Sequence, residues 1–145
     1  MSCEYFADKG MKIDGNYWLV HPQTGVAWNN TSIEDFKQAY QAQQIVLAEE
    51  RLKADKAEQL AAIKEAVFNK LNDEQWRVQK AQEHLLMAEL AGDQAEMGLS
   101  KAHLAELLSQ REQLRLASDE AEQALADIST YEELKEFTFD VNISL

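Results

Sequence analysis

The side chains that most often carry out chemistry are few in this sequence and stand far apart. The histidines are His21, His84 and His103, and the single cysteine is Cys3. A metal site needs several such ligands at short spacing, for example two histidines one helical turn apart. No two of these histidines have that spacing. The pattern favours solvent-exposed or turn histidines over a metal site.

The acidic and hydroxyl side chains also lack an arrangement typical of catalysis. Neighbouring carboxylates such as Glu49 and Glu50 stand beside basic residues, as on a solvated helix face. Glycoside chemistry needs two carboxylates across a cleft, and a nucleophilic serine such as Ser100 would need a Gly-x-Ser-x-Gly context. The sequence also has no glycine-rich phosphate loop. It therefore predicts a protein that is not an enzyme and binds no cofactor.

The charge balance limits the class of partner. The 145-residue chain has 14 Lys and Arg against 26 Asp and Glu, for a net charge of -12. Nucleic-acid affinity depends on clustered Lys and Arg, so no nucleic-acid partner is expected. There is neither a run of roughly 20 apolar residues nor a signal-peptide pattern, so no membrane association is expected. We predict a cytoplasmic protein that binds another protein or forms a homo-oligomer.

Turn-forming residues concentrate in residues 1–30, which we interpret as a small β-rich head. This segment holds Pro22, the only proline, and three of the five glycines. Asp14 and Gly15 both tolerate the positive φ of a type I′ turn, so a β-hairpin is predicted around them. The expected strands of a three-stranded meander cover residues 11–13, 16–20 and 26–28, with residues 5–7 as a further candidate.

The aromatic residues of this head have two interpretations. A sheet this small is not stable alone, so its apolar faces should pack on another part of the chain or on a partner. Tyr17, Trp18 and Trp28 could form the core of the meander or an exposed binding patch.

Residues 31–137 form the predicted helical body. Between residues 31 and 128 there is no proline, and the only glycines are Gly92 and Gly98. We expect a mainly α fold in which long helices follow the β-meander and form a helical hairpin or bundle. At 1.5 Å per residue the first helix would span roughly 60 Å, which predicts an elongated or oligomeric molecule. The predicted helices cover residues 32–71, 73–91, 100–128 and 131–137.

Polar residues mark where these helices should start. Thr31 or Ser32 could cap the first, Asn72 could begin the second through a kink or a reversal, and Thr130 could open a capping box. Residues 92–98 are predicted to be a loop, with Ser100 capping the third helix. Residues 138–145 alternate apolar and polar side chains like a half-buried strand, and such a tail could pair with another chain.

The third helix has the clearest apolar seam, at spacings of three and four residues. Its members are Leu104, Leu107, Arg111, Leu114, Ser118, Ala121, Leu125 and Ile128. Arg111 interrupts the seam, so its charge should extend outward, meet an acid or fix the pairing of the helices.

The same region resembles the C-terminal part of phage tail-fibre assembly chaperones. The resemblance rests on LAELL at residues 104–108, REQLR at 111–115, AEQAL at 121–125 and TYEEL at 130–134. It implies a non-enzymatic protein of the host-cell cytoplasm that binds the distal region of a tail fibre and helps the fibre fold and trimerise. Unassembled β-rich fibres expose strand edges and apolar surface that an amphipathic helix or a strand can cover.

The expected contacts with such a partner are Leu104, Leu107, Arg111, Leu114, Leu125, Phe137, Phe139 and Val141. The same side chains could instead pack within this chain, and both can hold if packing and binding use different faces. Two other functions remain open. The long first helix suits a self-associating structural or scaffold component of a virion, and the net charge suits an acidic inhibitor of a basic protein.

Overall fold

The computed structural model describes residues 2–142, and 72% of it is helical, which confirms the predicted mainly α class. An N-terminal antiparallel sheet precedes the long helices. The chain divides into unit 1, Met1–Arg51, and unit 2, Leu52–Leu145, so the boundary lies within the first helix rather than near residue 30. The elements are β1 (Cys3–Phe6), β2 (Gly10–Ile13), β3 (Asn16–Trp18), α1 (Asn30–Asp73), α2 (Gln75–Ala91), α3 (Gln94–Asp127) and α4 (Tyr131–Glu136).

The sheet of unit 1 has the order β1-β2-β3, with both strand pairs antiparallel. Asp14 and Gly15 connect β2 to β3 with φ values of 48° and 93°, which confirms the predicted hairpin turn. The expected strand at residues 26–28 was wrong, because this segment makes only an isolated bridge between Val20 and Ala27. Strand β1, near the further candidate at residues 5–7, pairs with β2 along its whole length.

Two residues of β2 determine how closely unit 1 packs. Met11 is completely buried, and the thiol of Cys3 donates to its sulfur at 3.4 Å. Gly10 has a φ of +79°, and a Cβ placed on it would lie 2.0 Å from the carbonyl oxygen of Trp18. The backbone of β3 can therefore approach β2 only because residue 10 has no side chain.

The aromatic residues of unit 1 differ in how far they are buried. The ring of Trp28 packs against His21 and Phe36 at centroid distances of 4.9 and 5.3 Å. Its indole N–H donates to the carbonyl oxygen of Trp18 at 2.8 Å. The side chains of Tyr17 and Trp18, by contrast, are about half exposed. Trp28 is thus half-buried and packs within unit 1, and the other two lie at the surface.

Helix α1 begins one residue before the predicted caps. Asn29 precedes it, and its side chain accepts from the backbone N–H of Ser32 at 2.8 Å. The hydroxyl of Ser32 accepts from the backbone N–H of Asn29 at 2.9 Å. This reciprocal pair caps the helix, so the prediction that Thr31 or Ser32 is the capping residue was wrong.

Tyr40 is expected to ionise only near pH 12. Its hydroxyl donates to the Asp14 carboxylate at 2.5 Å, and this hydrogen bond raises its pKa from 10.0 to about 12. Because the folded-state pKa is raised, the bond stabilises unit 1 fully below pH 10 and is lost as the pH rises through 12. An ultraviolet absorbance titration should show one late tyrosine that Tyr40→Phe removes and Tyr17→Phe leaves in place. A late tyrosine in the Tyr40→Phe variant would contradict this assignment.

The core of unit 2 joins the C-terminal part of α1 to α3 and α4. Leu125 is the most buried of its members, with 2% of its surface exposed. The members are spaced so that each helix offers one apolar side. They are Ile63, Val67, Leu114, Ala121, Leu125 and Leu134.

The break between α1 and α2 consists of a single residue. Glu74 keeps a right-handed helical backbone, with φ -92° and ψ -3°, and its N–H still donates to the Lys70 carbonyl at 3.2 Å. The chain therefore kinks here instead of reversing. The sequence predicted this break at Asn72, two residues before its observed position at Glu74.

Helices α2 and α3 form a hairpin with a two-residue turn. Gly92 takes a left-handed conformation, and its N–H and that of Asp93 donate to the carbonyls of Glu89 and Ala88. The Asp93 carboxylate then accepts from the Glu96 N–H at 3.1 Å and caps α3. The predicted loop at residues 92–98 and cap at Ser100 were both wrong, because Asp93 caps α3 seven residues before Ser100.

The start of α4 and the C-terminal end of α3 are both capped. Thr130 and Glu133 form the predicted capping box, and N–H groups of residues 129 and 130 lower the pKa of Glu133. The ammonium of Lys56 donates to the carbonyls of Ala126 and Ile128 at 2.8 and 2.6 Å. A cation at this position also complements the negative end of the α3 dipole.

Replacing Lys56 with methionine is expected to lower the free energy of unfolding of unit 2 by about 2 kcal/mol. The loss follows because two carbonyl groups at the end of α3 lose a charged donor while the stem of the side chain is kept. The matched control is Lys53→Met, an exposed lysine on the same helix. Urea unfolding followed by circular dichroism measures both variants, and equal midpoints would contradict the proposed role of Lys56.

The predicted C-terminal strand is not present in the described residues. Residues 138–140 have no regular structure and Val141 and Asn142 form a turn, in which the Asp140 carboxylate accepts from the Asn142 N–H. Phe137, Phe139 and Val141 alternate because they pack against the core of unit 2, not because they pair with a strand. Residues 143–145 of the predicted tail lie outside the described part.

Candidate protein-binding surface

Two of the predicted partner contacts belong to the interior. Leu114 is 8% exposed and Leu125 is 2% exposed, and both pack in the core of unit 2 with Ile63 and Val67. In this structure neither offers surface to a partner. Leu114 and Leu125 thus pack within the chain, as the alternative interpretation of the apolar seam expected.

Arg111 meets a backbone carbonyl instead of an acid. Its guanidinium donates to the carbonyl oxygen of Leu71 at 2.7 Å, and the residue is half-buried. Leu71 lies in the last turn of α1, where carbonyl groups need partners from outside the helix. Arg111 thus connects α3 to the last turn of α1, next to the kink that separates α1 from α2.

The remaining predicted contacts are partly covered. Leu104 and Leu107 are half-buried on α3. Phe137, Phe139 and Val141 are also half-buried, and they border a groove of about 350 Å³ beside α1. These five residues combine a packing role with some accessible surface, so their role toward a partner stays a prediction.

Helix α2 has apolar side chains on two opposite sides, and the sequence reasoning missed the second. The inner side faces α3 and carries the buried residues Val78, Ala81 and Ala88. At 3.6 residues per turn, a second group falls on the outward side. We call this group the apolar strip; it consists of Trp76 (58% exposed), Leu86 (55%), Met87 (68%) and Leu90 (80%).

A simple feature of the sequence could have revealed the strip. Leu85 and Leu86 are adjacent, so they must point about 100° apart on a helix and cannot both face the same neighbour. Sorting the apolar residues of α2 by their angle around the helix axis separates the two sides. A surface helix normally carries one apolar side and one polar side.

A pocket of about 360 Å³ adjoins the strip along one edge of the α2–α3 hairpin. Its base is apolar, with Ala81 from α2 and Leu107 from α3, and Trp76 forms one end. Four basic side chains surround it. We call this the basic pocket; its basic members are Arg77, Lys80, His84 and His103.

Among residues 2–142, these four basic side chains form no hydrogen bond and no ion pair with a carboxylate. Arg77 instead places its guanidinium 5.8 Å from the centre of the Trp76 ring, at cation–π distance. In a chain with a net charge of -12, Arg77 and Lys80 thus place two positive charges without an ion-pair partner beside two histidines.

The described structure is therefore that of a mainly helical protein whose most distinctive surface is an apolar strip beside a basic pocket. No helix within residues 2–142 is long and apolar enough to cross a membrane. Within the same residues, no three His, Cys, Asp or Glu side chains are grouped so that they could hold a metal ion. Comparison with protein families, with curated proteins and with solved structures finds no match.

Proposed function

We propose that this protein is a non-enzymatic assembly chaperone that binds a protein client through the apolar strip of α2. The observation that carries the proposal is the exposure of Leu86, Met87 and Leu90 within about one turn of the outward side of α2. Trp76 lies on the same side, beyond the exposed polar residues Gln79 and Glu83. Leu86, Met87 and Leu90 together offer a contiguous apolar area on the order of 350 Å², within the range of the largest patches on monomeric proteins, which are often functional.

The proposed client is a phage tail-fibre protein, and the proposed place of action is the host-cell cytoplasm. The resemblance of residues 104–137 to tail-fibre assembly chaperones supports this class of client. Physical chemistry supports it as well, because a fibre chain exposes apolar surface and strand edges before it trimerises. A reversible cover over these surfaces would keep the chain from aggregating until its partners arrive.

Co-expression with the tail-fibre protein of the same genome tests the proposal. Size-exclusion chromatography with light scattering should find a defined complex, and the amount of soluble fibre should rise. The double variant Met87→Glu with Leu90→Glu should abolish the complex, because two charges would have to be buried in the interface. Leu116→Glu is the matched control, since Leu116 is 52% exposed on α3 and is not part of the strip.

Two results would overturn the proposal. One is a complex that survives the double variant unchanged while circular dichroism shows both proteins folded. The other is a large homo-oligomer of fixed size that ignores the fibre, which would favour the self-associating virion component instead.

A further inference from the structure

The basic pocket differs from its surroundings in both charge and shape. Arg77, Lys80, His84 and His103 are exposed and unpaired within the described residues, although acidic side chains outnumber basic ones in the chain. Acids lie one turn away, at Asp73 before Arg77 and at Glu83 after Lys80, but within the described residues they form no ion pair with these side chains. The basic side chains collect around an apolar base. Such a site suits a ligand that carries both carboxylates and an apolar group.

The spacing of side chains along α2 indicates a ligand with an extended backbone. Trp76, Lys80 and His84 follow one another at intervals of four residues, or about 6 Å along the helix. Alternate side chains of an extended peptide lie on the same side, about 6.5 Å apart. An extended segment laid along α2 can therefore match all three positions with every second side chain.

We propose that the basic pocket binds an extended acidic segment of a protein, with the pattern apolar-x-acid-x-acid. The apolar side chain would pack on Trp76 and the first carboxylate would meet Lys80 and Arg77. The second carboxylate would meet His84 and His103. This inference rests on the proposed function, because it specifies the part of the client that docks beside the apolar strip.

The pocket's length argues for a peptide over a small free anion. The row from Trp76 to His84 extends about 12 Å, which is longer than acetate or inorganic phosphate can bridge. Its apolar end, shared with the strip, would also stay uncovered by such an ion. A segment of a client that already contacts the strip would cover both.

The direct test uses the full-length protein and a labelled, capped peptide of sequence Leu-Ser-Glu-Ser-Glu-Ser. Fluorescence anisotropy at low salt should show binding that weakens as salt is added, because exposed charge pairs are screened. The same peptide with Gln in place of both Glu should bind at least about tenfold more weakly.

Protein variants then locate the binding site. Arg77→Gln with Lys80→Gln should weaken binding of the peptide about tenfold, whereas Lys53→Gln, an exposed lysine of α1, should leave it unchanged. All replaced side chains are exposed, so the fold should persist. Equal binding of the Glu and Gln peptides, or equal loss with the Lys53 control, would overturn the inference. Displacement of the peptide by millimolar acetate or phosphate would also overturn it and assign the pocket to small anions.

The fibre complex separates this inference from the proposed function. If the Met87→Glu, Leu90→Glu variant loses the fibre and the Arg77→Gln, Lys80→Gln variant keeps it at full strength, the chaperone function stands and the acidic-segment inference fails. If the charge variant weakens the complex about tenfold, the inference is supported.

Discussion

Replacing Gly10 with alanine is expected to lower the free energy of unfolding of unit 1 by about 3 kcal/mol. The φ of +79° costs an L-residue about 1–2 kcal/mol. The new methyl group would also lie 2.0 Å from the Trp18 carbonyl oxygen and 2.8 Å from the Leu19 Cα, both of them backbone atoms. Overpacking of this kind costs about 1–3 kcal/mol more.

The same substitution should break a hydrogen bond that can be observed directly. The carbonyl of Trp18 accepts the indole N–H of Trp28, so displacing this carbonyl should shift the Trp28 indole signal in an amide-proton NMR spectrum. Gly25→Ala is the control, because Gly25 has a φ of +68° but open space around it. Thermal unfolding of both variants gives the comparison. If they lose the same stability, close packing at Gly10 is not the cause.

Replacing Leu125 with alanine is expected to lower the free energy of unfolding of unit 2 by about 3 kcal/mol. Leu125 is 2% exposed among Ile63, Val67 and Leu134, so three helices contribute to the cavity that the shorter side chain would leave. Leucine-to-alanine substitutions in cores cost about 2–5 kcal/mol for this reason.

Leu116→Ala provides the comparison on the same helix. Leu116 is 52% exposed, and substitutions at such positions usually change stability by about 0.5 kcal/mol or less. Urea unfolding followed by circular dichroism measures both. Similar losses for the two variants would mean that α3 does not use the predicted seam to pack, contrary to the burial of Leu125.

Features that depend on a few neighbouring residues could be predicted from the sequence. The Asp14-Gly15 hairpin and the Thr130–Glu133 capping box are both present, because turn and cap geometry is fixed within four residues. The apolar seam of α3 was also recognised correctly as an amphipathic side. Whether that side faced this chain or a partner depends on distant residues of α1, which spacing alone does not reveal.

Errors occurred where one residue has two structural roles or where packing replaces pairing. The N–H of Asp93 bonds to the last turn of α2, and its carboxylate caps α3. The two glycines at 92 and 98 therefore do not enclose a loop. Residues 137–141 alternate as a strand would, but they alternate against a helical core. The apolar strip was missed because the apolar residues of α2 were not sorted by their angle around the helix axis.

The turn at Gly92 and Asp93 also limits where residues can be inserted into or deleted from this protein. Every residue added at the start of a helix rotates the rest of that helix by about 100°, and this turn has no spare residue to absorb the rotation. An insertion here would point Leu107 and Leu114 away from their neighbours and carry His103 off the basic pocket. Natural variants should therefore preserve the number of residues between α2 and α3 even where their identities differ, and should place insertions and deletions in other segments.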